Sequence, residues 1–246
     1  MRPAFVLYGA GLAMVAACGP GEPKAGAGAS AAAPVESTTV SKGGATPAAA
    51  EPANDAPKAL FIGTSLTAGL GLADPTMESW PAVIMQLADS AGLPIQVANA
   101  GLSGETSAGA LRRADWLLKE RYDIIVVETG ANDGLRGLNY DTTAANIKGI
   151  ITKARASNPN AQILLVQMEA PTNMGPMYTK AFHELFARVA VESGVTLLPF
   201  ILEGVGGVAK YNQGDGIHPT AEGARLAALN VWPGIRMAIR TVRAAR

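Results

Sequence analysis

The chain has 246 residues, 48% of them hydrophobic, and sets 20 lysines and arginines against 20 aspartates and glutamates. Length and apolar content suffice for one large domain with a buried core. The absence of net charge removes the basic footprint of a nucleic-acid binder and suits a neutral or weakly charged substrate. One cysteine, Cys18, and two histidines, His183 and His218, leave no internal disulfide and too few ligands for a metal centre, so neither metal nor cofactor is expected.

In chain order, the first expected element is an export signal over residues 1–18. Arg2 supplies a positive start, Phe5 to Val15 an apolar stretch too short to remain as a membrane-spanning helix, and Val15-Ala16-Ala17-Cys18 a small-residue processing site. A cysteine placed directly after Val-Ala-Ala is similar to the bacterial lipobox, and that resemblance implies lipidation of Cys18 and a lipid-anchored protein on a periplasm-facing membrane surface of the bacterial envelope. An ordinary secretory signal that happens to contain a cysteine is the competing reading. Residues 19–57 are rich in Ala, Pro, Gly, Ser and Thr and lack large apolar side chains, which predicts a disordered tether. A flexible coil of that length has a root-mean-square reach on the order of 30–40 Å, enough to hold a folded domain clear of a membrane surface.

From Lys58 to the C-terminus, short β-branched or leucine-rich runs alternate with longer amphipathic segments, the pattern of an α/β domain around a parallel sheet of about five strands. Strands are predicted at Ala59–Ile62, Ile95–Ala98, Ile124–Glu128, Gln162–Met168 and Val195–Pro199. Helices follow from the spacing of Trp80, Val83, Ile84 and Leu87, of Leu111, Ala114 and Leu118, and of Ile147, Ile150 and Ile151. Two more are expected over Tyr178–Glu192 and Glu222–Arg240, with Pro233 kinking or breaking the last.

Four polar segments interrupt this pattern: Gly63-Thr64-Ser65-Leu66-Thr67, Gly101-Leu102-Ser103-Gly104, Gly130-Ala131-Asn132-Asp133 and Asp215-Gly216-Ile217-His218-Pro219. Ser65 follows the first strand, Gly104 the second and Asn132 the third, while Asp215 and His218 come beyond the fifth. Open parallel sheets bind ligands outside the carboxyl ends of their strands, so all of these residues are expected on one edge. A serine hydroxyl becomes a nucleophile when an imidazole takes its proton and an anion orients the imidazole, roles that Ser65, His218 and Asp215 can fill. Gly104 and Asn132 can supply donors for an oxyanion. His183, within a helix among alternating charges, reads as an ordinary surface or partly packed histidine, and Asp133 as structural.

These four segments resemble the SGNH hydrolases, also called the GDSL family, named for Ser, Gly, Asn and His in four blocks. The first block, Phe61 to Gly71, looks most like the bacterial acyl-thioesterase, lysophospholipase and arylesterase branch. The resemblance implies a three-layer flavodoxin-like fold with strand order 2-1-3-4-5. It also implies hydrolysis of a small acyl or aryl ester, or of a thioester, through an acyl-serine at Ser65. The oxyanion would be held by the N–H groups of Ser65 and Gly104 and the amide of Asn132. One departure is plain: the family usually has aspartate just before the serine, and this chain has Thr64. That aspartate is not the triad carboxylate, so the change bears on the nucleophile turn. The loop from Glu169 to Tyr178 also reaches the active edge, and Met174, Met177 and Tyr178 are expected to line an acyl or aryl pocket. A carbohydrate acetylesterase and a non-catalytic envelope binding lipoprotein are the rival readings.

Overall fold

The computed structural model describes residues 55–246, so the expected signal, Cys18 and nearly all of the expected tether lie outside the described residues. The elements run β1 (Lys58–Gly63), α1 (Ser65–Ala68), α2 (Pro75–Glu78), α3 (Trp80–Ser90), β2 (Gln96–Gly101), α4 (Ser107–Leu117), β3 (Ile124–Val127) and α5 (Ala131–Leu135). They continue with α6 (Tyr140–Ser157), β4 (Gln162–Gln167), a 3-10 turn at Thr172–Met174, α7 (Pro176–Ser193), β5 (Thr196–Phe200) and α8 (Ala221–Ala244). Among the described residues no helix is long and apolar enough to cross a membrane.

The five strands form one parallel sheet in the order β2-β1-β3-β4-β5. Helices α3 and α8 pack together on one side, and α4, α6 and α7 pack in series on the other, giving three layers. Covering both faces explains why β3 is an unbroken run, Ile124-Ile125-Val126-Val127, with every residue fully buried, instead of an alternation of apolar and polar. Large side chains fill the layers: Phe61 meets Trp80 edge-on at 5.0 Å between ring centroids, and Phe182 meets Phe186 at 5.5 Å.

The register positions the site. Gly63 pairs with Gly101 and Ile62 with Val127, so β1, β2 and β3 end level with one another and the segments that follow them emerge side by side. The expected strands and helices are all present, with ends displaced by up to four residues. The exception is Pro233, which does not break α8; the helix runs unbroken from Ala221 to Ala244. Proline removes the hydrogen bond to the carbonyl four residues earlier, here that of Leu229, and both residues are exposed, where water can take its place. The buried stripe through Ala224, Ala228, Val231, Ile235 and Ile239 continues on both sides and holds the helix against the sheet.

Candidate active site

The first strand ends at Gly63, where an added Cβ would lie 2.0 Å from Thr67 Oγ1 and 2.7 Å from Glu128 Oε2; only glycine lets the chain turn this tightly. Thr64 is extended, and Ser65 opens the short helix α1, which closes through Ala68 N–H to Thr64 O at 2.9 Å and Leu70 N–H to Ser65 O at 3.0 Å. As first helical residue, Ser65 has an N–H with no acceptor inside the helix. The Thr64 hydroxyl makes no capping bond, because it is engaged with Glu128.

His218 reaches Ser65 from the far end of the chain. Asp215 Oδ1 accepts the backbone N–H groups of Ile217 and His218, both at 3.0 Å, which folds the loop into a tight turn. Asp215 Oδ2 lies 2.6 Å from His218 Nδ1, and His218 Nε2 lies 2.9 Å from Ser65 Oγ. The side-chain bond to His218, helped by the two backbone donors, pulls the Asp215 carboxyl down to about 2. An ionised carboxylate can only accept, so Nδ1–H donates to Asp215, and in the neutral ring Nε2 is left to accept the Ser65 proton. Gln213, which the sequence gives no reason to single out, clamps this loop to the Ser65 turn. Its amide donates to Leu70 O at 2.7 Å and Pro219 O at 2.9 Å, and its own N–H donates to His218 O at 2.7 Å.

The donors gather beside the serine. Gly104 sits at φ 76, a left-handed conformation that side chains rarely adopt, in the turn before α4 and not on the helix itself. Asn132 gives one amide hydrogen to Glu105 O at 3.1 Å, leaving the other for a ligand. Arg113 ties these blocks together. Its guanidinium grips the Glu105 carboxylate at 2.6–2.8 Å and donates to Ala100 O at 2.7 Å and Gly63 O at 3.3 Å. Asp133 is buried beneath, accepting from Ser107 N–H at 2.8 Å, Ser107 Oγ at 2.5 Å and Thr143 Oγ1 at 3.1 Å.

Ser65, Gly104, Asn132 and His218 all face one cleft of about 770 Å³. Its walls are mostly apolar, with Leu66, Leu70, Leu135, Phe200, Leu202 and Ile217 prominent. The expected pocket residues Met174, Met177 and Tyr178 do not line it. Met177 is 88% exposed, in the first turn of α7. Tyr178 stacks on Phe182 and donates to Leu138 O at 2.7 Å, and Met174 closes on Gly137. The loop does reach the cleft, but through its first five residues, Glu169 to Asn173, because the 3-10 turn carries the chain outward before α7 begins. His183 lies apart from Ser65, 60% exposed and paired with Glu169 at 2.6 Å. Among the described residues no three His, Cys, Asp or Glu side chains converge where a metal ion could sit.

Glu128 is the residue that sequence reasoning missed. It follows β3, is fully buried, and among the described residues its carboxyl bonds to the Ser65 turn: Oε2 receives Thr64 N–H at 2.9 Å and Thr67 Oγ1 at 2.8 Å, and Thr64 Oγ1 lies 2.9 Å from Oε1 and 3.1 Å from Oε2. Burial, opposed only in part by those hydrogen bonds, pushes it up to about 7. A carboxyl closing an otherwise apolar run was the available signal.

The profile of the GDSL-like Lipase/Acylhydrolase family matches residues 61–226. The chain is 40% identical over 178 residues to Esterase TesA of Pseudomonas aeruginosa, covering 72% of this chain and 87% of that protein. It is 37% identical over 164 residues to Thioesterase 1/protease 1/lysophospholipase L1 of Escherichia coli K12, covering 66% and 76%. A crystal structure of TesA superimposes with a TM-score of 0.69 at 38% identity, over 74% of this chain and 99% of that one.

Proposed function

The chain belongs to the GDSL-like Lipase/Acylhydrolase family, and on that premise we propose that Ser65, His218 and Asp215 are the catalytic triad of this serine ester hydrolase. The observation that carries the assignment is the 2.9 Å approach of His218 Nε2 to Ser65 Oγ at the mouth of an apolar cleft. Ser65 Oγ attacks the acyl carbonyl while Nε2 takes its proton, and the imidazolium is stabilised by the Asp215 carboxylate. His218 then returns the proton to the leaving alcohol or thiol, and an acyl-serine remains. Water, deprotonated by the same nitrogen, attacks the acyl-serine and releases the acid.

The oxyanion of each tetrahedral intermediate is received by the N–H groups of Ser65 and Gly104 and the free hydrogen of the Asn132 amide. Donors of this kind each lower the barrier by about 2.7–4 kcal/mol in comparable hydrolases. The apolar walls suit an acyl or aryl group better than a sugar, which favours an arylesterase, thioesterase or lysophospholipase-like substrate over an acetylated carbohydrate. A panel of aryl esters of graded chain length, acyl thioesters, lysophospholipids and acetylated sugars separates these. A fluorophosphonate that labels another serine and spares Ser65 sinks the triad.

Anchoring belongs to the same proposal. The run Val15-Ala16-Ala17-Cys18 and the polar residues after it support a lipid on Cys18, a membrane as partner and an envelope location. Cys18→Ser should release the protein from membranes or leave its signal uncut. A native N-terminus beyond Cys18 that carries no lipid contradicts the anchor.

A further inference from the structure

The nucleophile turn rests on a buried carboxyl that the hydrolytic mechanism does not use. Glu128 Oε2 already receives Thr64 N–H at 2.9 Å and lies 3.1 Å from Thr64 Oγ1, so it is the oxygen that gains least from carrying a proton. The hydroxyl of Thr67 accepts the indole N–H of Trp80 at 3.1 Å and donates to the same Oε2 at 2.8 Å. A proton on Glu128 therefore sits on Oε1, whose partner is Thr64 Oγ1 at 2.9 Å. A threonine hydroxyl accepts from a protonated Oε1 or donates to an ionised one, so the residue before the nucleophile serves either state by rotating one hydrogen.

Among the described residues no charged group bonds Glu128 to offset its ionised form. The groups that meet it from the turn and from α3 are two hydroxyls, the backbone amides of Thr64 and Thr67 and, through the Thr67 hydroxyl, an indole. Of the charged groups around the site, Arg113 on α4 bonds Glu105 and two carbonyls, Asp133 on α5 bonds Ser107 and Thr143, and Asp215 bonds His218; none bonds Glu128. An anion there would stand behind the turn whose Ser65 N–H receives the oxyanion, opposing the charge that develops in the transition state.

We propose that Glu128 is a positioning residue that works as a neutral carboxylic acid, fixing the Ser65 turn through Thr64 and Thr67 without placing a negative charge beneath the oxyanion. The raised carboxyl, up to about 7, agrees with this. The proposal rests on Ser65 as nucleophile, which fluorophosphonate labelling of the unaltered protein tests separately.

The test compares kcat and KM of the full-length chain with Glu128→Gln, Glu128→Leu and Thr67→Val from about pH 5 to about pH 9. Glutamine reproduces the neutral acid, with its oxygen on Thr64 N–H and Thr67 and its amide on Thr64 Oγ1. Glu128→Gln is expected to keep at least about a third of kcat at neutral pH and to lose the alkaline decline of the unaltered enzyme. Glu128→Leu, if folded, is expected to lower kcat by about a hundredfold with KM within about threefold, the mark of lost transition-state alignment. Thr67→Val removes a bond that favours the charged carboxyl, so it should move the alkaline decline to higher pH, a shift that a purely structural contact does not produce. Superimposable pH profiles for the unaltered and Glu128→Gln enzymes overturn the proposal. A Glu128→Gln enzyme that is folded but as slow as Glu128→Leu overturns it too. Should Glu128→Leu fail to fold, the Gln and Val variants decide by the same criteria.

Discussion

His218 Nε2 lies 2.9 Å from Ser65 Oγ although 153 residues separate them in the chain. Two different supports hold that approach: Asp215 fixes the ring from within the His218 loop, and Gln213 pins the loop to the backbone of the nucleophile turn at Leu70. The contact is therefore made by the segments that follow β1 and β5, which meet at the carboxyl end of the sheet although β3 and β4 lie between the two strands.

Asp215 is expected to act through the tautomer of His218. Asp215→Asn presents an amide that can donate to Nδ1, which moves the ring proton to Nε2 and leaves nothing to take the serine proton. A fall in kcat of about 10⁴, as for the corresponding change in serine proteases, is expected with the fold unchanged. Steady-state kinetics beside circular dichroism measures both, and a fall of less than about tenfold removes Asp215 from the triad.

The Asn132 amide already holds Glu105 O with one hydrogen, so its orientation is set before substrate arrives. Asn132→Ala is expected to reduce kcat by about 10²–10³ with little change in KM, since the lost bond forms only as the oxyanion develops. Equal losses in kcat/KM and in substrate affinity point instead to a ground-state contact.

Much of this site was legible in the sequence, and the reasons are physical. Strands β1 and β3 have runs too apolar and β-branched to be anything but buried, and the residues after them had to emerge at one edge of a parallel sheet. The contacts that stabilise the turn were not legible. Glu128 looks like the last residue of a strand, and only the register of Ile62 against Val127 brings its carboxyl under Thr64. Gln213 acts through carbonyl groups, which leave no mark in side-chain identity. Met174, Met177 and Tyr178 were misplaced because a loop's end on the active edge says nothing about which of its residues turn inward.

Thr64 stands where the family usually has aspartate, and its neighbour decides what a change there does. Thr64→Asp sets a second carboxyl against Glu128; two such groups in contact hold one proton between them, and a protonated Glu128 can donate it to the new carboxylate. The turn keeps its bonds, so turnover is expected to stay within about tenfold, roughly 1.4 kcal/mol of barrier. Thr64→Val leaves Glu128 Oε1 buried without a partner and should cost about 1–3 kcal/mol of stability, read from denaturant midpoints. A natural protein inert across the substrate panel and switched on by Thr64→Asp favours the binding-lipoprotein reading.

The last expectation concerns stability and pH. The folded chain holds the Glu128 proton up to about 7, whereas the unfolded chain releases it near the ordinary 4.5. Protonated Glu128 thus contributes its full stabilisation below about pH 4.5, and that contribution is lost as pH rises through about 7. Glu128→Gln cannot ionise and escapes the loss. Between those limits its stability should rise relative to the unaltered chain by up to about 3 kcal/mol, and the difference should then level off. Denaturant unfolding at several pH values across this window measures it. A difference that stays flat, or that grows as pH falls, shows that Glu128 enters the fold already ionised.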